Sequence, residues 1–62
     1  DRYETIVADS IERLQRHGWV VGPSLEAEEW RRRVKAAARS RGWRLATGIG
    51  ATGTPWAART DL

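Results

Sequence analysis

Trp30-Arg31-Arg32-Arg33-Val34-Lys35-Ala36-Ala37-Ala38-Arg39-Ser40-Arg41-Gly42-Trp43-Arg44-Leu45-Ala46-Thr47 changes its hydrophobic period once, at Gly42. Before the glycine, Ala27, Trp30, Val34, Ala37 and Ala38 fall on one arc when projected at about 100° per residue. That arc is the expected core face of a helix, with Arg31, Arg32, Lys35 and Arg39 on a separate outward stripe. Ser24 is the expected N-cap, and Glu26, Glu28 and Glu29 lie in the first turns, where the helix dipole favours anions. The helix is expected to run to Ser40 or Arg41. Beyond Gly42, Trp43-Arg44-Leu45-Ala46-Thr47 alternates, and Trp56-Ala57-Ala58-Arg59-Thr60 does so more loosely, as strands with one buried face do. Gly48-Ile49-Gly50-Ala51-Thr52-Gly53-Thr54-Pro55 between them is too glycine-rich for regular structure. The pattern predicts a β-hairpin with Trp43 and Trp56 on its buried face.

Upstream, Tyr3, Ile6, Val7, Ser10, Ile11 and Leu14 recur at three- and four-residue spacing, predicting an amphipathic helix over residues 3–17. Gly18 is free to adopt the left-handed conformation that ends a helix. Trp19-Val20-Val21, between Gly18 and Gly22-Pro23, reads as a short strand or a buried connection. The expected architecture is therefore α+β, winged-helix-like in outline. Two helices pack on the hairpin, or on a small three-stranded antiparallel sheet if Val20 and Val21 pair with it.

Sixty-two residues allow a single small domain over residues 1–62. A chain of this size buries only about 60% of the surface it exposes when unfolded. It has no cysteine, so neither disulfides nor thiolate metal sites can staple it, and it has neither Phe nor Met. The four tryptophans are accordingly expected in the core, with Trp19 or Trp56 as alternative exposed platforms for bases or protein anchors. No run approaches the about 18 apolar residues of a membrane span, and no signal peptide is readable. The expected location is the cytoplasm, at the nucleoid.

Charge divides the chain. Residues 1–29 hold seven acids against Arg2, Arg13 and Arg16, a net −4, whereas residues 30–62 hold eight bases against Asp61, a net +7. The overall +3 conceals this contrast. A surface of one sign attracts polyanions by steering and counterion release. Part of the pattern serves the helix itself, because Glu28–Arg32 and Glu29–Arg33 are favourable i,i+4 pairs. Arg31, Lys35, Arg41 and Arg44 have no such partner at that spacing.

The chemistry of catalysis is not readable here. Gly48-Ile49-Gly50-Ala51-Thr52-Gly53 matches G-x-G-x-x-G, but the dinucleotide fingerprint needs a helix opening on the loop and a later acid. Pro55 and Trp56 follow instead. His17 is the only histidine and has no cluster of metal-ligating neighbours. Ser10, Ser24 and Ser40 have no base partner at a readable spacing. The sequence thus points to a binding module, not an enzyme, with no cofactor, metal or small-molecule substrate.

The basic helix-plus-hairpin segment that opens with Trp30 to Gly48 resembles those of small DNA-binding proteins from high-GC actinobacteria, their plasmids and phages. It is similar in outline to winged-helix modules, in which a recognition helix runs into a β-hairpin wing. A standard winged helix has three helices, whereas two are readable in this chain. The resemblance implies double-stranded DNA binding in a transcription-regulatory or nucleoid-associated role. Arg31, Lys35 and Arg39 would face the groove with Arg32 flanking, while Arg41, Arg44, Thr47, Thr52 and Thr54 would hold the backbone. Symmetric sites are read by symmetric dimers, and the stripe Tyr3, Val7, Ile11 and Leu14 is the expected homodimer contact. RNA binding, or a protein-interaction or oligomerisation module using the acidic and basic faces together, would share these electrostatics.

Overall fold

The structure, a computed structural model, describes residues 2–62. Helix α1 (Arg2–His17) leads into strand β1 (Trp19–Val21), helix α2 (Ala27–Ser40) and the hairpin β2 (Leu45–Ile49) and β3 (Pro55–Arg59). The sheet is antiparallel in the order β1-β3-β2. Val20 does pair with the hairpin, opposite Ala57, so the three-stranded alternative holds. Both helices pack against one side of the sheet, α1 on β1 and β3 and α2 on β3 and β2. The arrangement is winged-helix-like: α2 runs directly into the hairpin, and the strand before α2 joins that hairpin's second strand.

Helix ends follow the local chemistry. Gly18 takes φ 86° and its N–H bonds to the Leu14 carbonyl at 2.9 Å, closing α1 just before β1 begins. Gly42 does the same for α2 at φ 77°, bonding the Arg39 carbonyl at 3.0 Å. These are the positions where glycine avoids the Cβ clash of a left-handed backbone.

The core is built around Trp30. It is fully buried, among Ile11, Leu14, Val20, Val34 and Ala57, and its indole N–H donates to the Ser10 hydroxyl at 3.1 Å. The Ser10 hydroxyl in turn donates a hydrogen bond to the Ile6 carbonyl at 2.8 Å. The buried Ser10 hydroxyl and Trp30 N–H are thereby both satisfied, as a low-dielectric interior requires. Gly22 lets the indole sit against the chain: a Cβ there would lie 2.3 Å from the ring. Arg33 and Tyr3 join the helices, with the guanidinium 4.4 Å from the ring centroid.

Four expectations need correction. Ser24 does not cap α2; Glu26 occupies that position in a left-handed conformation (φ 62°) without a side-chain cap bond. The turn at residues 24–26 carries the chain back from the sheet, and the Glu26 carboxylate is drawn to α1, 3.5 Å from Arg2. It also holds the Tyr3 hydroxyl, raising that group above the ordinary tyrosine range. Second, Trp56 points away from the core. Strand β3 begins at Pro55, so Pro55 and Ala57 are buried and Trp56 is exposed. Trp19 is exposed likewise, which leaves only Trp30 and the half-buried Trp43 against the core.

Third, β2 starts two residues later than the alternation suggested, at Leu45. Trp43 belongs to the connection, pressed beneath the Arg59 guanidinium at 4.1 Å. Fourth, the proposed dimer stripe is consumed within the chain. Tyr3, Ile11 and Leu14 are buried and Val7 is half-buried against the same core. A core this small needs every large apolar group on α1.

Candidate nucleic-acid interface

Helix α2 presents Arg31, Lys35 and Arg39 one turn apart on the side next to β2. Together with Glu28, Arg32 and Ala36 they line a shallow groove of about 360 Å³. The groove continues past Lys35 and Arg39 towards Trp43 and Leu45 at the start of the hairpin. Helix and hairpin are tied together by Arg31, whose Nε donates to the Thr47 hydroxyl at 3.2 Å. The Thr47 hydroxyl in turn donates to the Trp56 carbonyl at 2.7 Å.

These contacts sort the candidate residues. Arg31 is committed: its Nη1 lies 2.6 Å from Glu28, and only 24% of its side chain is exposed. Thr47, with its one proton already bonded, is a structural link and not a free phosphate donor. Arg32 shares Glu29 with Arg33, each at 2.6 Å. Those two arginines hold the Glu29 carboxyl below the usual carboxylate range. The pairing uses i,i+3 geometry for Arg31 and Arg32, so a partner sought only at i,i+4 was missed for Arg31.

Lys35, Arg39, Arg41 and Arg44 are different. All four are exposed, and no acid lies within ion-pair distance of any of them among the described residues. Arg41 bonds the Ala37 carbonyl at 3.2 Å and lies 5.9 Å from the Trp43 ring centroid, an arrangement suited to a helix C-terminus. Arg59, by contrast, is spent on Asp61 at 2.7 Å and on Trp43. Its guanidinium depresses the Asp61 carboxyl. On α1, Arg13 is likewise paired with Asp9 at 3.0 Å and Arg16 with Glu12 at 3.2 Å. The surplus positive charge therefore concentrates on the second half of α2 and its link to β2.

The G-x-G-x-x-G stretch is the end of β2 and the hairpin's turn. Gly48 and Ile49, expected with Pro55 to lie outside regular structure, pair with Trp56 and Pro55, because glycine tolerates the extended ladder. Gly53 N–H bonds the Gly50 carbonyl and Gly50 N–H bonds the Thr54 carbonyl, both at 2.9 Å, with Gly53 at φ 84°. Thr52 and Thr54 sit together on this tip, their hydroxyls 3.2 Å apart, with Ser24 3.4 Å from Thr54. A strand follows the turn in place of the helix a dinucleotide site needs. Among the described residues no three His, Cys, Asp or Glu side chains cluster as a metal site would require, and no helix is long and apolar enough to cross a membrane. The fold is compatible with nucleic-acid binding in general. No family model matches the chain, and neither a curated protein nor a solved structure matches it significantly.

Proposed function

We propose that this chain binds double-stranded DNA, with α2 as the groove-facing helix and the β2–β3 hairpin as a wing along the backbone. The observation that carries this reading is the run of exposed, acid-free cations Lys35, Arg39, Arg41 and Arg44. They lie where a winged-helix-like module brings its recognition helix into its wing. Unpaired like charges repel one another, and their natural counter-ions are phosphates. Lys35 and Arg39 are the groove-facing pair. Arg41, Arg44 and the threonine tip reach the flanking backbone, and Arg32 contributes to the extent that Glu29 releases it. Arg31 acts by fixing the angle between helix and hairpin.

The double variant Lys35→Glu and Arg39→Glu tests this reading. Both side chains are solvent-exposed, so circular dichroism should be unchanged while duplex affinity, read by fluorescence anisotropy, is lost. Retained affinity in the folded variant would place the site elsewhere.

A further inference from the structure

We infer that the open side of the sheet is a second nucleic-acid surface, a stacking platform for unpaired bases. The strand register fixes what lies on that side. Trp19 pairs with Ala58, and Ala58 with Ala46; Val21 pairs with Trp56, and Trp56 with Gly48. Their alternate partners, Val20 and Ala57, face the helices and are buried. Neither helix covers the six residues on the open side, and Trp19, Val21 and Trp56 are 59%, 55% and 39% exposed.

Two features suit this face to bases. First, the Trp56 ring lies flat on the sheet. A Cβ on Gly48 would stand 3.0 Å from Cζ2 and 3.1 Å from both Cε2 and Nε1, so one face of the indole rests on Gly48 and the other is turned to solvent. Trp19 is its diagonal neighbour across the β1–β3 ladder, about 7–8 Å away. Ala46, Ala58 and Gly48 are too small to fill the space above the sheet. Aromatic rings on an open sheet, standing clear of small neighbours, stack bases without regard to their identity.

Second, the unpaired charge on this side is positive. The ladder continues past β2 through the Thr60 N–H bond to the Arg44 carbonyl at 2.9 Å. Arg44 is exposed between Trp43 and Leu45, both packed on the core. Among the described residues no acid occupies a strand position of the open face. Asp61 nearby is held by Arg59, and Asp9, which lines the hollow beside Trp19 and Val21, is held by Arg13. An unpaired guanidinium beside two indoles matches a strand that offers phosphates and bare bases together.

A second copy of the chain is a poor occupant by comparison. Three strands about 4.8 Å apart, β2 and β3 of five residues and β1 of three, cover a patch of at most about 14 by 17 Å. That is far below the about 800 Å² per partner of a stable protein interface.

The test uses a short fluorescein-labelled oligodeoxythymidylate, which cannot form a duplex with itself, titrated at moderate salt with the intact chain and with four variants. Trp19→Ala and Trp56→Ala should each weaken binding about tenfold or more with unchanged circular dichroism. Gly48→Ala keeps both indoles but tilts Trp56 off the sheet, and should weaken binding as well. The Lys35→Glu/Arg39→Glu variant should lose duplex but keep most of its oligothymidylate affinity, so the two surfaces fail separately. The inference is overturned if the intact chain ignores the oligonucleotide, or if the tryptophan variants bind it normally. It is also overturned if sedimentation shows a dimer that Trp19→Ala dissolves, which would make the face a contact between copies.

Discussion

Gly22→Ala should destabilise the fold although alanine usually stabilises a loop. Where the backbone allows it, replacing glycine by alanine gains about 0.4–1 kcal/mol by restricting the unfolded chain, and Gly22 is not among the glycines with positive φ. Against this stands the space the methyl would need. Its carbon would lie 2.3, 2.4 and 2.8 Å from Cε2, Cδ2 and Cε3 of Trp30. The ring would have to retreat by about 1 Å to regain ordinary contact distance. It has nowhere to go, since Trp30 is 0% exposed and pinned to Ser10 at 3.1 Å. Overpacking of a tight core costs about 1–3 kcal/mol, and a strained or broken indole hydrogen bond adds to that. The net loss is expected at about 1–3 kcal/mol, a large part of the about 3–5 kcal/mol available to a core of this size. Urea unfolding followed by tryptophan fluorescence measures it. In a Trp30→Leu background the penalty should largely disappear, and a double-mutant cycle isolates that coupling. A Gly22→Ala protein as stable as the parent, or a penalty unchanged by Trp30→Leu, would refute the reasoning.

Three further outcomes are expected. Ser10→Ala leaves the buried Trp30 N–H without its acceptor and should cost about 1–3 kcal/mol in the same unfolding assay. Acid should destabilise the fold through Glu29 and Asp61. Both carboxyls are depressed by arginine partners, so their stabilisation is full above the unfolded carboxylate range and is lost as pH falls through the lower folded values. Asp61→Asn should flatten that part of the pH–stability profile, and an unchanged profile would show that the Arg59 pair contributes nothing. Arg31→Ala should weaken duplex binding less than Lys35→Glu/Arg39→Glu does, while shifting the Thr47 resonances in an NMR spectrum. An equal or larger loss of affinity would make Arg31 a direct contact.

The elements were legible because each has its own period. Tyr3 to Leu14 repeats at helical spacing, Trp30 to Ala38 does so again, and Gly42 marks the change to alternation. What escaped were choices made by tertiary context. Residues 55–59 alternate only loosely, with alanine at both 57 and 58. Their inward face was set by Ala57, small enough to fit beneath α2, and not by the larger Trp56. Ser24 has the chemistry of a cap, but the turn after Pro23 places Glu26 at the helix start and Ser24 beside Thr54. The first-helix stripe resembled an interface only because a sequence does not say whether the chain supplies its own cover.

The candidate site was half legible. Lys35, Arg41 and Arg44 stand out in the sequence by the lack of an acid at i,i+4 spacing, and in the fold they and Arg39 are unpaired among the described residues. Arg31 was grouped with them, yet Glu28 lies three residues earlier and Thr47 sixteen later. The second of these contacts depends on how the hairpin folds back along α2, which no local pattern encodes. The pairing of Trp19 and Trp56 on one open face has the same origin, since it arises from the β1–β3 register.

The central claim is tested most directly by anisotropy of a labelled mixed-sequence duplex titrated with the intact chain at several salt concentrations. Four phosphates neutralised by Lys35, Arg39, Arg41 and Arg44 predict a log–log slope of about −3 to −4, falling by about two in the Lys35→Glu/Arg39→Glu variant if residual binding is measurable. Absence of duplex binding at low salt, or binding with a slope near zero, would contradict the account.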